Sequence, residues 1–348
     1  MRLAGAVVSA LALLCLAGCV TQTESAAGSD APGTPVAIAR QGSFEAGGAV
    51  VGAADNSISC DHGHVEYEIP TNARAVPLFL WHSSSAAVWD RRWDGGEGYK
   101  TIFLRRGFPV YIWDGPRVGR GNYGCEAYTY TPHVGQDQAN FLAWRFGARF
   151  MEWFPGVQFP TSDRAAWEQA TRARYDEFDS VRNAQLESDA AAKALDRIGP
   201  SVLVTNSAGG FRALLTALKT DNVAGIVSYE NPGFVFPEGE GPQMTPGVFG
   251  PVYVPVEQFN RLTRFPIQIV WGDNIDKSPV WPGFYHLSEQ FVAIVNAHGG
   301  HAEILRLPDA GLHGNTHIPF ADLNNVEVAN LLSDFLHRNN LDRRGASH

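Results

Sequence analysis

Several features that would place the chain in a large functional class are missing from its sequence. Only 18% of its 348 residues are charged, and 27 Lys and Arg stand against 36 Asp and Glu, for a formal charge of -9. The basic residues group no further than the pairs Arg91-Arg92, Arg105-Arg106 and Arg343-Arg344. That excludes a nucleic-acid surface, because phosphate contacts need clustered cations. No apolar run is long enough to read as a membrane-spanning helix. Gly115 to Gly121 is glycine-rich but lacks the Lys-Ser/Thr end of a phosphate loop and the order of a dinucleotide fingerprint, so it reads as a turn. Cysteine is scarce, with four in the chain. Against these absences, 45% of the residues are hydrophobic, enough to bury a large core.

The apolar run that does occur is short and N-terminal. It covers residues 3–16 behind Arg2 and leads into Leu16-Ala17-Gly18-Cys19. This is the layout of a signal peptide, and its end is similar to a bacterial lipoprotein box. Residues 1–19 are thus expected to be a lipoprotein-type leader with Cys19 as the lipidated first mature residue, the alternative being plain secretion. By resemblance to sorted lipoproteins, Val20 rather than Asp after the cysteine implies the outer membrane, with the body facing the periplasm. Residues 20–55, rich in Ala, Gly, Ser, Thr and Pro, read as a flexible tether. With Cys15 removed and Cys19 lipidated, Cys60 and Cys125 remain as a candidate disulfide in an oxidising compartment.

From residue 56 to about 340 the pattern alternates between short apolar runs and helical periodicity. Strands are expected at 64–69, 76–81, 109–114, 201–205, 224–229, 267–271 and 303–307, and helices at 97–106, 211–219, 284–297 and 324–338. Near-continuous apolar strands separated by helices imply a doubly wound, mostly parallel α/β sheet covered on both faces. Residues 137–198 interrupt the alternation with aromatic and Ala-rich helical stretches, and read as a helical cap over the sheet's carboxyl edge.

The chemistry is concentrated at strand ends. Pro200-Ser201-Val202-Leu203-Val204-Thr205-Asn206-Ser207-Ala208-Gly209-Gly210 runs from a buried strand through a sharp turn into a helix. Ser207 between small residues has the setting of a nucleophile elbow, although Thr205 replaces the first glycine of GxSxG. A serine nucleophile needs a histidine base, a carboxylate to orient it, and backbone N–H groups for the oxyanion. After the last strand both His313 and His317 qualify, and His317, just ahead of the final helix, is favoured. Carboxylates end two strands: Glu230 in Val227-Ser228-Tyr229-Glu230, and Asp273 or Asp276 in Trp271-Gly272-Asp273-Asn274-Ile275-Asp276. Position alone favours the later pair. The turn His82-Ser83-Ser84-Ser85 after an early strand can present oxyanion donors, with the N–H of Ala208 as the second.

A set of short motifs carries a resemblance. His82-Ser83-Ser84-Ser85, Asp94-Gly95-Gly96-Glu97-Gly98-Tyr99, Leu104-Arg105-Arg106-Gly107-Phe108-Pro109, Arg145-Phe146-Gly147-Ala148-Arg149-Phe150, Gln158-Phe159-Pro160, Glu230-Asn231-Pro232-Gly233 and Gly314-Asn315-Thr316-His317 occur in that order. The chain resembles a small bacterial branch of α/β-hydrolase esterases, known for adjacent disulfide-linked cysteines in the oxyanion turn and a glutamate acid after the sixth strand. The resemblance implies an α/β-hydrolase fold with Ser207 as nucleophile, Glu230 as acid, His317 as base, and Ser84 and Ala208 as oxyanion donors. It moves the expected acid from Asp273 or Asp276 to Glu230. The paired cysteines are replaced here by Ser84 and Ser85.

The expected function is therefore hydrolysis of a small carboxylic ester, with lactones or amides as further substrates, without cofactor or metal, and with membrane association only through the lipid. The sequence does not give the oligomeric state. Two other classes are weighed. A metal-dependent hydrolase could use His62 and His64, two apart on a strand and hence on one side. A non-catalytic surface lipoprotein could keep the fold and only bind.

Overall fold

The computed structural model describes residues 33–345 apart from 83, 84, 130 and 176. The expected leader, Cys19 and Ser84 lie outside the described residues.

Two long strands come first, β1 (Ile38–Ala53) and β2 (Asn56–Pro70), paired antiparallel along almost their whole length, from Ile38 opposite Pro70 to Ala53 opposite Asn56. This corrects the tether expected over 20–55, because residues 38–53 are strand and the folded body begins before residue 56. Small residues and an exposed outer face leave β1 without an apolar signature. Its order comes from backbone pairing with β2. The strand expected at 64–69 is the stretch of β2 that joins the sheet, where His64 to Glu68 pair antiparallel with Asp114 to Val110.

The remaining strands of the sheet are β3 (Leu78–His82), β4 (Val110–Asp114), β5 (Ser201–Asn206), β6 (Val223–Tyr229), β7 (Pro266–Trp271) and β8 (His301–Arg306). The order across the sheet is β1-β2-β4-β3-β5-β6-β7-β8, and from β4 onward all neighbours are parallel. β3 and β5 are buried at every position, as expected of parallel strands covered on both faces. Alternate side chains separate cleanly. Leu78 and Leu80 enter one core cluster while Phe79 and Trp81 enter the other, the period-two rule applied to a two-sided strand.

Helices α1 (Tyr99–Arg105), α2 (Gln136–Ala143), α3 (Arg164–Arg172), α4 (Val181–Ile198), α5 (Ala208–Ala217), α6 (Trp281–Ala297) and α7 (Asn325–Arg338) complete the body. α1 and α7 pack in the cluster of Leu78 and Leu80, and α4, α5 and α6 in that of Phe79 and Trp81. The place of α4 corrects the cap expected over 137–198. Ala184, Ala191, Ala194 and Leu195 bury their faces with Phe79, Trp81 and Leu203, so α4 is a sheet-covering helix. Cys60 on β2 and Cys125 form a disulfide that ties the segment after β4 to the long hairpin.

Candidate active site

Ser207 stands at the junction of β5 and α5 with φ 52° and ψ -135°, a positive-φ conformation that few non-glycine residues adopt. Close packing fixes the turn. The Ser207 N–H donates to the Tyr229 carbonyl at 2.9 Å, and the Gly210 N–H donates back to the Ser207 carbonyl at 2.9 Å. Gly210 can be nothing larger, because a Cβ there would lie 2.0 Å from Ser228 Oγ on β6. As the first residue of α5, Ala208 has no acceptor for its N–H within the helix.

Glu230 follows β6, also at positive φ (54°), and continues the ladder by donating its N–H to the Val270 carbonyl at 2.8 Å. Its carboxylate is fully buried. One oxygen, Oε2, lies 2.6 Å from His317 Nδ1 and accepts from Arg145 Nη1 at 2.7 Å. The other, Oε1, accepts from Arg145 Nη2 and from the Gly272 N–H at 2.7 Å. Gly272 has to be glycine, since a Cβ would fall 2.8 Å from that oxygen and 2.7 Å from the Thr316 carbonyl. His317 is held from both sides: its N–H donates to the Trp144 carbonyl at 3.0 Å, and its own carbonyl accepts from Asn206 Nδ2 at 2.9 Å. The Trp281 ring lies 4.4 Å from the imidazole, centroid to centroid. Ser207 and His317 open into one cavity of about 1100 Å³.

Neither a family model nor a curated protein sequence matches the chain. Among solved structures it is similar to a bacterial esterase, with 26% identity over 88% of this chain and 98% of that one at a TM-score of 0.73. The chain has the α/β-hydrolase fold. An esterase of Pyrococcus furiosus (12% identity over 86% of this chain and 92% of that one, TM-score 0.45) and naproxen esterase of Bacillus subtilis (11% over 86% and 92%, TM-score 0.41) are far more distant and carry no argument here.

Within this α/β-hydrolase fold, the environment sets the charge states of the pair. Burial alone pushes the Glu230 carboxyl up, but Arg145 and His317 outweigh it and hold the group below its ordinary range. Burial pulls His317 below the usual imidazole value, against the opposing pull of Glu230. An ionised Glu230 beside a neutral His317 is the state in which an imidazole can accept a proton.

The other candidates lie elsewhere. Asp273 does not reach His317. It accepts from the Gly314 N–H at 2.8 Å, and its own N–H donates to the Asn315 carbonyl at 2.9 Å, so it braces the loop that carries the histidine. Asp276 is exposed, and so is His313. His64 sits 2.8 Å from Glu45 across the hairpin, and among the described residues no cluster of three or more His, Cys, Asp and Glu is arranged to hold a metal.

Two important residues carried no assigned role in the sequence. Arg145 pairs with a carboxylate 85 positions away, and its only sequence signal is the Arg145-Phe146-Gly147 motif. Asp322 clamps the histidine loop by accepting from the Thr316 N–H and Oγ1, Asn315 Nδ2 and Trp93 Nε1. Nothing in the local sequence sets it apart.

Proposed function

We propose that the protein is a serine hydrolase of small carboxylic esters, with Ser207 as nucleophile, His317 as base and Glu230 as the acid that orients it. The observation that carries this reading is the 2.6 Å contact between His317 Nδ1 and a buried Glu230, beside a strained Ser207 in the same cavity. The likeness to a bacterial esterase over nearly the whole fold supports it. In this mechanism Ser207 Oγ attacks the ester carbonyl as His317 Nε2 takes its proton. The N–H groups of Ala208 and Ser84 hold the oxyanion, and the alcohol leaves with the proton from His317. Water, deprotonated by the same imidazole, then releases the acid and restores Ser207. Lactones and activated amides follow as secondary substrates, since they pass through the same tetrahedral intermediate. The further proposal is that the chain is exported and held at a membrane by lipid on Cys19.

The test is hydrolysis of para-nitrophenyl butyrate by wild type and variants, with and without chelator. Ser207→Ala should abolish turnover, and Glu230→Gln should lower kcat by about 10²- to 10⁴-fold. Asp273→Asn, which only loosens the loop, should cost far less. Turnover that survives Ser207→Ala, or that a chelator removes, would return the metal-dependent class. Absence of any turnover or of reaction with a fluorophosphonate would favour a protein that only binds.

A further inference from the structure

Two side chains that line the cavity carry a buried donor with no acceptor among the described residues: Arg174 at Nε and Asn140 at Nδ2. Asn140 is only 6% exposed, and its Oδ1 already accepts from Gln136 Nε2 at 2.9 Å, which leaves the amide NH₂ to find a partner elsewhere. Both residues contact Trp144. Asn140 and Trp144 are four residues apart at the end of α2 and so share a face, with the Trp144 N–H donating to the Asn140 carbonyl at 2.7 Å. The Arg174 guanidinium lies over the Trp144 ring, 5.1 Å from its centroid. Trp144 in turn accepts the N–H of His317. The charge of Arg174 also reaches His82 at the end of β3, on the oxyanion side of Ser207.

Of the other charged groups that line the cavity, Asp137 on α2 is in no ion pair among the described residues, and the rest are engaged. Arg117 is held by both oxygens of Asp61 at 3.0 and 3.2 Å. Asp179 pairs with Arg212 at 3.3 Å, and Glu177 lies in the field of the same arginine. Arg174 is in no ion pair among the described residues. A buried donor without an acceptor is costly, and a guanidinium and an amide NH₂ are both groups from which a carboxylate can accept. With carboxylates nearby at Asp137, Glu177 and Asp179, a monoanion fits better than a more highly charged group.

We infer that Arg174 and Asn140 bind a carboxylate on the substrate, so that the enzyme takes half-esters of dicarboxylic acids, or comparable esters with a carboxylate some atoms from the scissile bond, in preference to neutral esters. This rests on the serine-hydrolase reading above and names the substrate class of that site.

The test compares kcat/KM of the full-length protein on para-nitrophenyl butyrate with that on the para-nitrophenyl half-esters of glutarate, adipate and suberate. The best half-ester should exceed butyrate by about tenfold or more, the worth of a charge-assisted hydrogen bond. Arg174→Met should bring that ratio towards one, and Arg174→Lys should keep part of it. If Arg174→Met loses the thermal unfolding transition of wild type, Arg174→Lys and Asn140→Leu carry the comparison, and both should show a reduced ratio. Equal or greater rates on butyrate in wild type, with Ser207 still reacting with a fluorophosphonate, would overturn the carboxylate site and leave the serine hydrolase standing. A half-ester preference undiminished in folded Arg174→Met would overturn it equally. No turnover of any ester and no reaction at Ser207 would overturn the underlying hydrolase reading, and this inference with it.

Discussion

Arg145 and Glu230 form an ion pair that solvent barely touches, at 1% and 0% exposure, next to the histidine proposed as base. Burying two charges is costly unless geometry and further hydrogen bonds compensate. Here the pairing is bidentate, and the Gly272 N–H supplies one more donor. The consequence for His317 is a matter of sign. Arg145 already neutralises much of Glu230, so an imidazolium at 317 gains less from the carboxylate than it would in a lone pair. Arg145 also repels that cation directly. Burial above all, with Arg145 adding to it, therefore keeps His317 neutral down to below its ordinary value of 6.5. Since the neutral form is the base, kcat/KM should be flat above that pH and fall as His317 protonates below it. Removing the cation with Arg145→Met should raise the His317 pKa and move the acid limb to higher pH. It should also destabilise the fold by about 3–5 kcal/mol, because Glu230 is left as an uncompensated buried charge. The pH–rate profile and denaturant unfolding of both proteins check this. A limb that stays in place or moves down would show that Arg145 does not set the histidine.

Among the secondary-structure elements, those that carry the site are the ones whose environments leave a signal in the residues. β3 to β7 are short and largely buried, and sheets covered on both faces select unbroken apolar runs, so these strands and the helices between them were legible. β1 was not, because a Gly- and Ala-rich edge strand ordered by backbone pairing has the composition of a linker. α4 was misplaced for a related reason: an Ala-rich amphipathic helix reads the same over a cap as over a sheet, and only its partners Phe79, Trp81 and Leu203 distinguish them. The junction after β7 shows how tightly the elements are fitted. In Gly272→Ala the new methyl would press on both Glu230 Oε1 and the Thr316 carbonyl. It should cost about 1–3 kcal/mol of stability through overpacking and lower kcat/KM more than about tenfold by displacing the acid. Thermal unfolding and ester kinetics on the variant would read both effects. A fully active variant would mean that the acid tolerates displacement.

Over the whole molecule, the sheet delivers Ser207, Glu230 and His317 to its carboxyl edge from three separate strand ends, and the segments between β4 and α4 supply Asn140, Trp144, Arg145 and Arg174 around them. Topology restricts where strand-end groups stand and so singled out Ser207 and His317 as candidates, but it favoured Asp273 or Asp276 as the acid, and Glu230 came from the motif resemblance. The supporting residues could not be named from sequence, since Arg145 meets Glu230, and Trp93 meets Asp322, across long stretches of chain. The proposed export belongs to this scale as well. A lipid on Cys19 would place the folded body at a membrane surface, and among the described residues no helix is long and apolar enough to cross one. Cys19→Ser should move the protein from the membrane fraction to the soluble fraction of fractionated cells, and an unchanged distribution would remove the anchor. The central claim rests on Ser207 itself. It is tested most directly by treating the full-length protein with a fluorophosphonate and mapping the adduct by peptide mass spectrometry. A single adduct on the peptide containing Ser207, absent in Ser207→Ala and suppressed by excess ester, is the predicted result. An adduct on another residue, or efficient ester turnover by protein in which Ser207 stays unmodified, would contradict it.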